Sequence, residues 1–220
     1  TGRVCGDCRH SHGNAKREAR LREGHRRQKR YRLLTDHIGK ISIPIGLTLI
    51  TGGARSGKSS LALRIGQNWG QQVHFIATAS AGDDDMARRI ENHKSERPDD
   101  WETTEAPLEV ASAVAEVPPN SLLILDCLTM WTANMLLSGA ETGRIEDEAL
   151  RLSSEIVERE SPSIVVTNEV GLGIVPDNEL SRQYRDLLGR VNQSVAHNAA
   201  QTLFACSGKV LRLENIEDVL

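Results

Sequence analysis

Long apolar runs are missing from this 220-residue chain. No stretch approaches the roughly 18 consecutive apolar residues of a membrane span, so no transmembrane helix is expected. The first residues lack the apolar core of a secretory leader, and none is expected. Cysteine is scarce, with four in all. Cys127 and Cys206 each end an apolar run and read as small buried hydrophobes; no spacing pairs them. That usage suits a reducing, cytoplasmic setting. Net charge is slight, at −3, and conceals an asymmetry. Residues 1–46 carry 12 Lys/Arg against 4 Asp/Glu, whereas residues 47–220 carry 15 against 26. The acidic body lacks the clustered cations that phosphate neutralisation needs, so it is a poor general nucleic-acid binder.

Residues 1–40 are short of large apolar side chains. They bury too little surface to offset the entropy of ordering, so most of this stretch is expected to be disordered, with a frayed basic helix over 16–34. Cys5-x-x-Cys8 with His10 and His12 invites a zinc reading, although the histidines crowd Cys8 too closely for a standard finger. A basic tail for nucleic acid or an acidic partner is another reading. The expectation is a dispensable extension over 1–46 followed by one catalytic domain over 47–220.

What the body does contain starts with an apolar strand, Leu47–Thr51, that runs into Gly52-Gly53-Ala54-Arg55-Ser56-Gly57-Lys58-Ser59 and then into a helical pattern. Glycines let backbone N–H groups curl around an anion, and a helix N-terminus behind them adds favourable field. Lys58 would reach the β- and γ-phosphates of a bound nucleotide, and the Ser59 hydroxyl would hold Mg²⁺. The competing reading is a glycine-rich turn closing a βα unit.

Beyond this loop, strands and helices alternate. Strands are expected at 73–78, 101–105, 121–126, 163–167 and 202–206, with a short edge strand at 210–213. Helices are expected at 58–68, 84–95, 107–116, 128–138, 146–160 and 179–200, with Asp83, Asp84 and Asp85 at the start of the second. The repeated βα units imply an α/β fold: a mostly parallel, doubly wound sheet of the P-loop NTPase kind with flanking helices and ligands at the carboxyl ends of its strands.

Asp126 ends the run Leu122-Leu123-Ile124-Leu125. A carboxylate at the tip of a buried strand beside the P-loop strand suits a second Mg²⁺ contact, and a helix cap is the alternative. In Asp83–Pro98, Met86, Ile90 and His93 share one helical face, with Arg89 four residues before His93 and Arg97 four after. A neutral imidazole there could attack phosphorus while Lys94 and Arg97 hold its oxygens; a packed or surface histidine in a solvated charge run is the plainer reading. The glycine-bearing loop Thr167-Asn168-Glu169-Val170-Gly171-Leu172-Gly173-Ile174-Val175-Pro176 follows a buried strand, where ligands bind. Trp101 and Trp131 suit either a large apolar ligand or the core.

Together these segments resemble the bifunctional adenosylcobinamide kinase/adenosylcobinamide-phosphate guanylyltransferase family of cobalamin biosynthesis. The resemblance runs from about Leu47 to about Val210. It rests on Gly52–Ser59, on Arg89-Ile-x-x-His93-Lys-x-x-Arg97-Pro98 followed by Trp101, and on Thr167–Pro176 leading to Gly189-Arg-Val-Asn-Gln193. It implies a RecA-like sheet, a homotrimer and two reactions. A nucleoside triphosphate phosphorylates adenosylcobinamide, and GTP then passes GMP through a histidine–GMP intermediate to the new phosphate, giving adenosylcobinamide-GDP. His93 is then the nucleophile; some relatives have two adjacent histidines where this chain has Asn92-His93. The resemblance also puts Ala77, Thr78, Ala79, Lys94, Ser95, Glu96, Arg97, Glu105 and Asp126 at the guanine nucleotide. A P-loop kinase without guanylyl transfer is the second reading, and a nucleotide-gated binding module using the basic tail is the third.

Overall fold

A computed structural model describes residues 42–80 and 84–219. The Cys5/Cys8 pair, the basic helix over 16–34 and the Asp83 cap lie outside the described residues, as do the side chains of Asp85, Met86 and Arg89.

The elements in chain order are β1 (Gly46–Gly52), α1 (Lys58–Gln67), β2 (Val73–Ala77), α2 (Asp84–Ser95), β3 (Glu102–Glu105), α3 (Val110–Glu116), β4 (Leu122–Asp126), α4 (Leu128–Leu137), α5 (Thr142–Val157), β5 (Pro162–Val166), α6 (Glu179–Asn198), β6 (Gln201–Cys206), β7 (Lys209–Leu213) and α7 (Ile216–Val219). The short α7 was not expected, and α5 opens at Thr142 rather than 146, shortening the connection from α4. The strands form one sheet in the order β3-β2-β4-β5-β1-β6-β7. All pairings are parallel except that of β7, which returns antiparallel beside β6 as the edge strand.

The apolar runs explain the sheet's interior. β1, β2 and β5 are buried at every position, as parallel strands covered on both faces must be. Leu47 and Leu49 of β1, Leu123 and Leu125 of β4 and Val165 of β5 point to one face, where α3, α4, α5 and α6 cover them. α1 covers the other face, packing on β1, β4 and β5. It rides so low that a Cβ on Gly66 would lie 2.4 Å from the Trp101 ring. Trp131 is core, 2% exposed, with its indole N–H donating to the Leu108 carbonyl at 2.9 Å. Trp101 is half-buried and stacks on Phe75.

Two expectations need correction. β4 is not next to the P-loop strand, because β5 lies between them. Asp126 still reaches the loop, because α1 leaves β1 and crosses β5 to pack on β4, carrying Ser59 with it. Cys206 is exposed rather than buried, because β6 ends there at the turn into β7.

Candidate functional site

The carboxyl ends of β1, β2, β4 and β5 surround a cavity of about 530 Å³. Its floor is the β1–α1 loop. Arg55 (φ 57°) and Gly57 (φ 101°) both take left-handed backbone, which bends the chain tightly before α1 begins at Lys58. The loop is braced within by Ser56 N–H to Gly53 O at 3.3 Å, and from outside by Gly208 N–H to Ser56 O at 3.0 Å. Lys58 is 6% exposed and folds over the loop, donating to Gly53 O at 2.6 Å and to Ser56 Oγ at 3.4 Å. Burial lowers its pKa, and nearby Cys127 and Asp126 oppose that shift. A buried cation over a left-handed loop at a helix N-terminus is an anion receptor.

Asp126 accepts a hydrogen bond from the Ser59 hydroxyl. Burial pushes its carboxyl above the usual range, against the pull of Ser59, His93, Arg97 and Lys58. One carboxylate beside one hydroxyl, in a site that also gathers phosphate oxygens, is the hard-oxygen set that a small divalent cation takes. Among the described residues no cluster of three or more His, Cys, Asp or Glu could hold a metal by itself. Such a cation would therefore be held jointly with phosphate and water.

The opposite wall is α2 and the tip of β3. His93 faces the cavity half-exposed, with Glu96 Oε2 3.8 Å from its Nδ1. Lys94 Nζ pairs with Glu105 Oε1 at 2.5 Å, and this bond holds the Glu105 carboxyl below its usual range. Arg97 lays its guanidinium over the Phe75 ring, Cζ 3.9 Å from the centroid. Its Nε is buried without a hydrogen-bond partner, and burial lowers its pKa. A stacked, desolvated guanidinium beside a cavity favours an anionic partner.

Of the residues singled out in the sequence, Ala54 to Ser59, Ala77, Ala79, His93, Lys94, Arg97, Glu105 and Asp126 line this one cavity. Others sit behind it. Gly52 and Gly53 carry the chain into the loop. Thr78 is fully buried, bonded both ways to the Cys127 backbone at 2.7 and 2.8 Å. Ser95 bonds back to Asn92 O at 2.8 Å, and Glu96 stands beside His93. Sequence reasoning missed Cys127, Met130, Val166 and Asn168 as lining residues. The signal for Asn168 was present, since it opens the glycine-bearing loop at the tip of β5.

The parallel sheet, the loop with its buried lysine and the carboxylate across from it define a P-loop NTPase fold of the RecA-like kind. A solved structure with this fold is the assembled ATPase EscN of the enteropathogenic E. coli type III secretion system, at TM-score 0.53 and 14% identity over 79% of this chain and 46% of that one. The chain belongs to the cobinamide kinase/cobinamide phosphate guanyltransferase family, whose model matches residues 48–213. It is 42% identical over 167 residues to the bifunctional adenosylcobalamin biosynthesis protein CobP of Pseudomonas aeruginosa, covering 76% of this chain and 96% of that protein. It is 39% identical over 176 residues to the bifunctional adenosylcobalamin biosynthesis protein CobU of Salmonella typhimurium, covering 74% and 96%.

Proposed function

We propose that this chain phosphorylates adenosylcobinamide with ATP or GTP and then guanylylates the product through a histidine–GMP intermediate, giving adenosylcobinamide-GDP for cobalamin biosynthesis. The observation that carries the proposal is that the P-loop lysine, Lys58, and His93 of α2 face the same cavity. A kinase without guanylyl transfer has no use for a histidine there.

In the first reaction the substrate hydroxyl oxygen bonds to the γ-phosphorus. The bond from that phosphorus to the β-phosphate breaks, its electron pair leaves with the diphosphate, and the hydroxyl proton goes to water. Lys58 and the loop amides hold the phosphates and offset their charge as it shifts toward the leaving group. Ser59 and Asp126 would hold Mg²⁺, which when bound neutralises phosphate charge and sets the phosphates in line. In the second reaction an imidazole nitrogen of His93 bonds to the α-phosphorus of GTP and pyrophosphate departs. An oxygen of the cobinamide phosphate then takes the same phosphorus, the N–P bond breaks and the imidazole is restored. Double displacement replaces one hard step by two easier ones. Lys94 and Arg97 stand where they can neutralise the α-phosphate, and Glu105 holds Lys94 in place through their 2.5 Å pair. The family resemblance further supports guanine-nucleotide contacts at Ala77, Thr78, Ala79, Ser95 and Glu96, a homotrimeric assembly and a cytoplasmic setting. Among the described residues no helix is long and apolar enough to cross a membrane.

The test is intact-protein mass spectrometry after incubation with GTP and Mg²⁺. The expected result is an acid-labile gain of one GMP on the 88–97 peptide, lost in His93→Ala while cobinamide phosphorylation persists. Labelling that survives in His93→Ala would sink the assignment of the nucleophile.

A further inference from the structure

The two most exposed large apolar side chains among the described residues belong to one loop, between β5 and α6. Ile174 is 96% exposed and Leu172 81%, and the exposed Val175 follows them. Single apolar side chains in water are ordinary, but three within four residues make a patch, and such patches mark binding surfaces.

The loop that carries the patch is pinned at both ends. At its start Thr167 N–H donates to Ile50 O and Glu169 N–H to Gly52 O, both at 3.0 Å, which extends the ladder along β1 to the P-loop. Between them Asn168 N–H donates to Thr129 Oγ1 at 2.7 Å, and the Asn168 carbonyl accepts from Asn192 Nδ2 at 2.9 Å. At the far end Arg182 of α6 donates to Pro176 O at 3.1 Å and to Asp177 O at 2.6 Å. The patch is therefore held out in water between fixed points at the carboxyl edge of the sheet. Asn168 lines the cavity. A chain spans at most about 3.6 Å per residue, so Leu172 lies within about 15 Å of that residue.

The cavity's 530 Å³ is the room that one small ligand fills, and a nucleoside triphosphate over Lys58 takes it. Adenosylcobinamide carries its reacting hydroxyl on a short arm at the rim of a much broader corrin macrocycle. Only the arm can enter beside the nucleotide, so the macrocycle must rest outside, an arm's length from the γ-phosphate. Its ring faces bear methyl groups and carry no anion to pair, so the surface that receives it should be apolar rather than charged. The patch at 172–175 has that chemistry and that place.

We propose that Leu172, Ile174 and Val175 form a platform for the corrin macrocycle, setting specificity for the acceptor in both half-reactions. This rests on the proposed function and says where its larger substrate sits. Contact takes apolar surface of both partners out of water while the arm delivers the hydroxyl to the cavity. Guanylylation of His93 by GTP alone makes no use of the platform.

The experiment is equilibrium dialysis of adenosylcobinamide against the full chain, read by the visible absorbance of the corrinoid, with steady-state phosphorylation alongside. Moving one large apolar side chain out of water contributes a factor of about ten or more in affinity. Leu172→Ser and Ile174→Ser are each expected to raise Kd and KM for adenosylcobinamide about tenfold, and the double variant further. KM for ATP, GMP-adduct formation from GTP alone, the melting temperature and the sedimentation coefficient stay at their original values. Ile174→Leu keeps the affinity, and so does Leu137→Ser, which removes an apolar side chain 74% exposed at the far end of α4. Unchanged corrinoid affinity in the double variant overturns the inference, as does an equal loss in Leu137→Ser. A fall in sedimentation coefficient in the loop variants also overturns it, because the patch would then be a contact between copies of the chain. An unaltered chain that binds no adenosylcobinamide removes the inference and the substrate reading together. One that binds but does not phosphorylate it removes the kinase reading alone, and the dialysis of the variants still decides the platform.

Discussion

Gly52→Ala would set a methyl carbon 2.1 Å from the Ala205 carbonyl oxygen, 3.1 Å from that carbonyl carbon and 3.1 Å from Ser56 Oγ. The oxygen belongs to β6, paired with β1 at that register, so the clash can be relieved only by parting two central strands or distorting the loop. Gly52 also sits at φ 146°, where a side chain is strained whatever the space. Overpacking a tight site costs about 1–3 kcal/mol, and a strained backbone conformation adds about 1–3 kcal/mol. Together they predict a loss of about 4 kcal/mol, or about 8–16 °C in a domain of this size. Gly53→Ala is the matched control. A Cβ there meets nothing within 4 Å and its φ needs no glycine, so the expected change is below about 0.5 kcal/mol. Thermal melts followed by far-UV circular dichroism, with binding of a fluorescent nucleotide alongside, read both variants. Gly52→Ala should melt early and lose nucleotide, while Gly53→Ala keeps both. Equal behaviour of the two variants would refute the argument from close approach.

Two further predictions follow from burial. The Asp126 carboxyl is raised in the folded chain, so as pH climbs from its ordinary value to the raised one the unfolded chain releases its proton first and stability falls. Asp126→Asn removes that loss. It should raise the melting temperature by about 2–5 °C at pH 7 while abolishing phosphoryl transfer, and the gain should vanish in acid, below the ordinary carboxyl range; a lower melting temperature at pH 7 would contradict this. Burial, with Asp126 beside it, pushes the Cys127 thiol up to about 12. Iodoacetamide at pH 8 should therefore alkylate the exposed Cys206 well before the partly covered Cys127, read by peptide mapping, and preferential labelling of Cys127 would count against its raised pKa.

Much of this was legible in the residues because local chemistry and fold agree. The unbroken apolar runs at 122–125 and 164–166 announce doubly covered strands, and Gly52–Ser59 announces an anion loop. What resisted reading was lateral order. Period and composition place strands along the chain but do not say which lie side by side, so the interposition of β5 between Asp126 and the P-loop was invisible. Gly52 and Gly53 look alike in sequence, and only the approach of the Ala205 carbonyl separates them. The accessibility of Cys206 follows from a turn, not from its apolar neighbours. Asn168 was half legible: its place at the head of the glycine-bearing loop marked it, but its backbone partners Thr129 and Asn192 are remote in the chain.

The pairing of β1 also sets the order in which the molecule can be assembled. Gly46 lies opposite Pro162 and Thr48 opposite Gln201, and no nearer segment offers β1 a partner. Emerging early from the ribosome, β1 and its loop must wait for β5 and β6 before they gain neighbours on either side. A nascent chain ending before residue 162 can form β2 beside β4, but not the anion receptor. Nucleotide binding is therefore acquired late, as a mark that the sheet has closed around its first strand, and a bound nucleotide stabilises that closure as a whole rather than the loop alone.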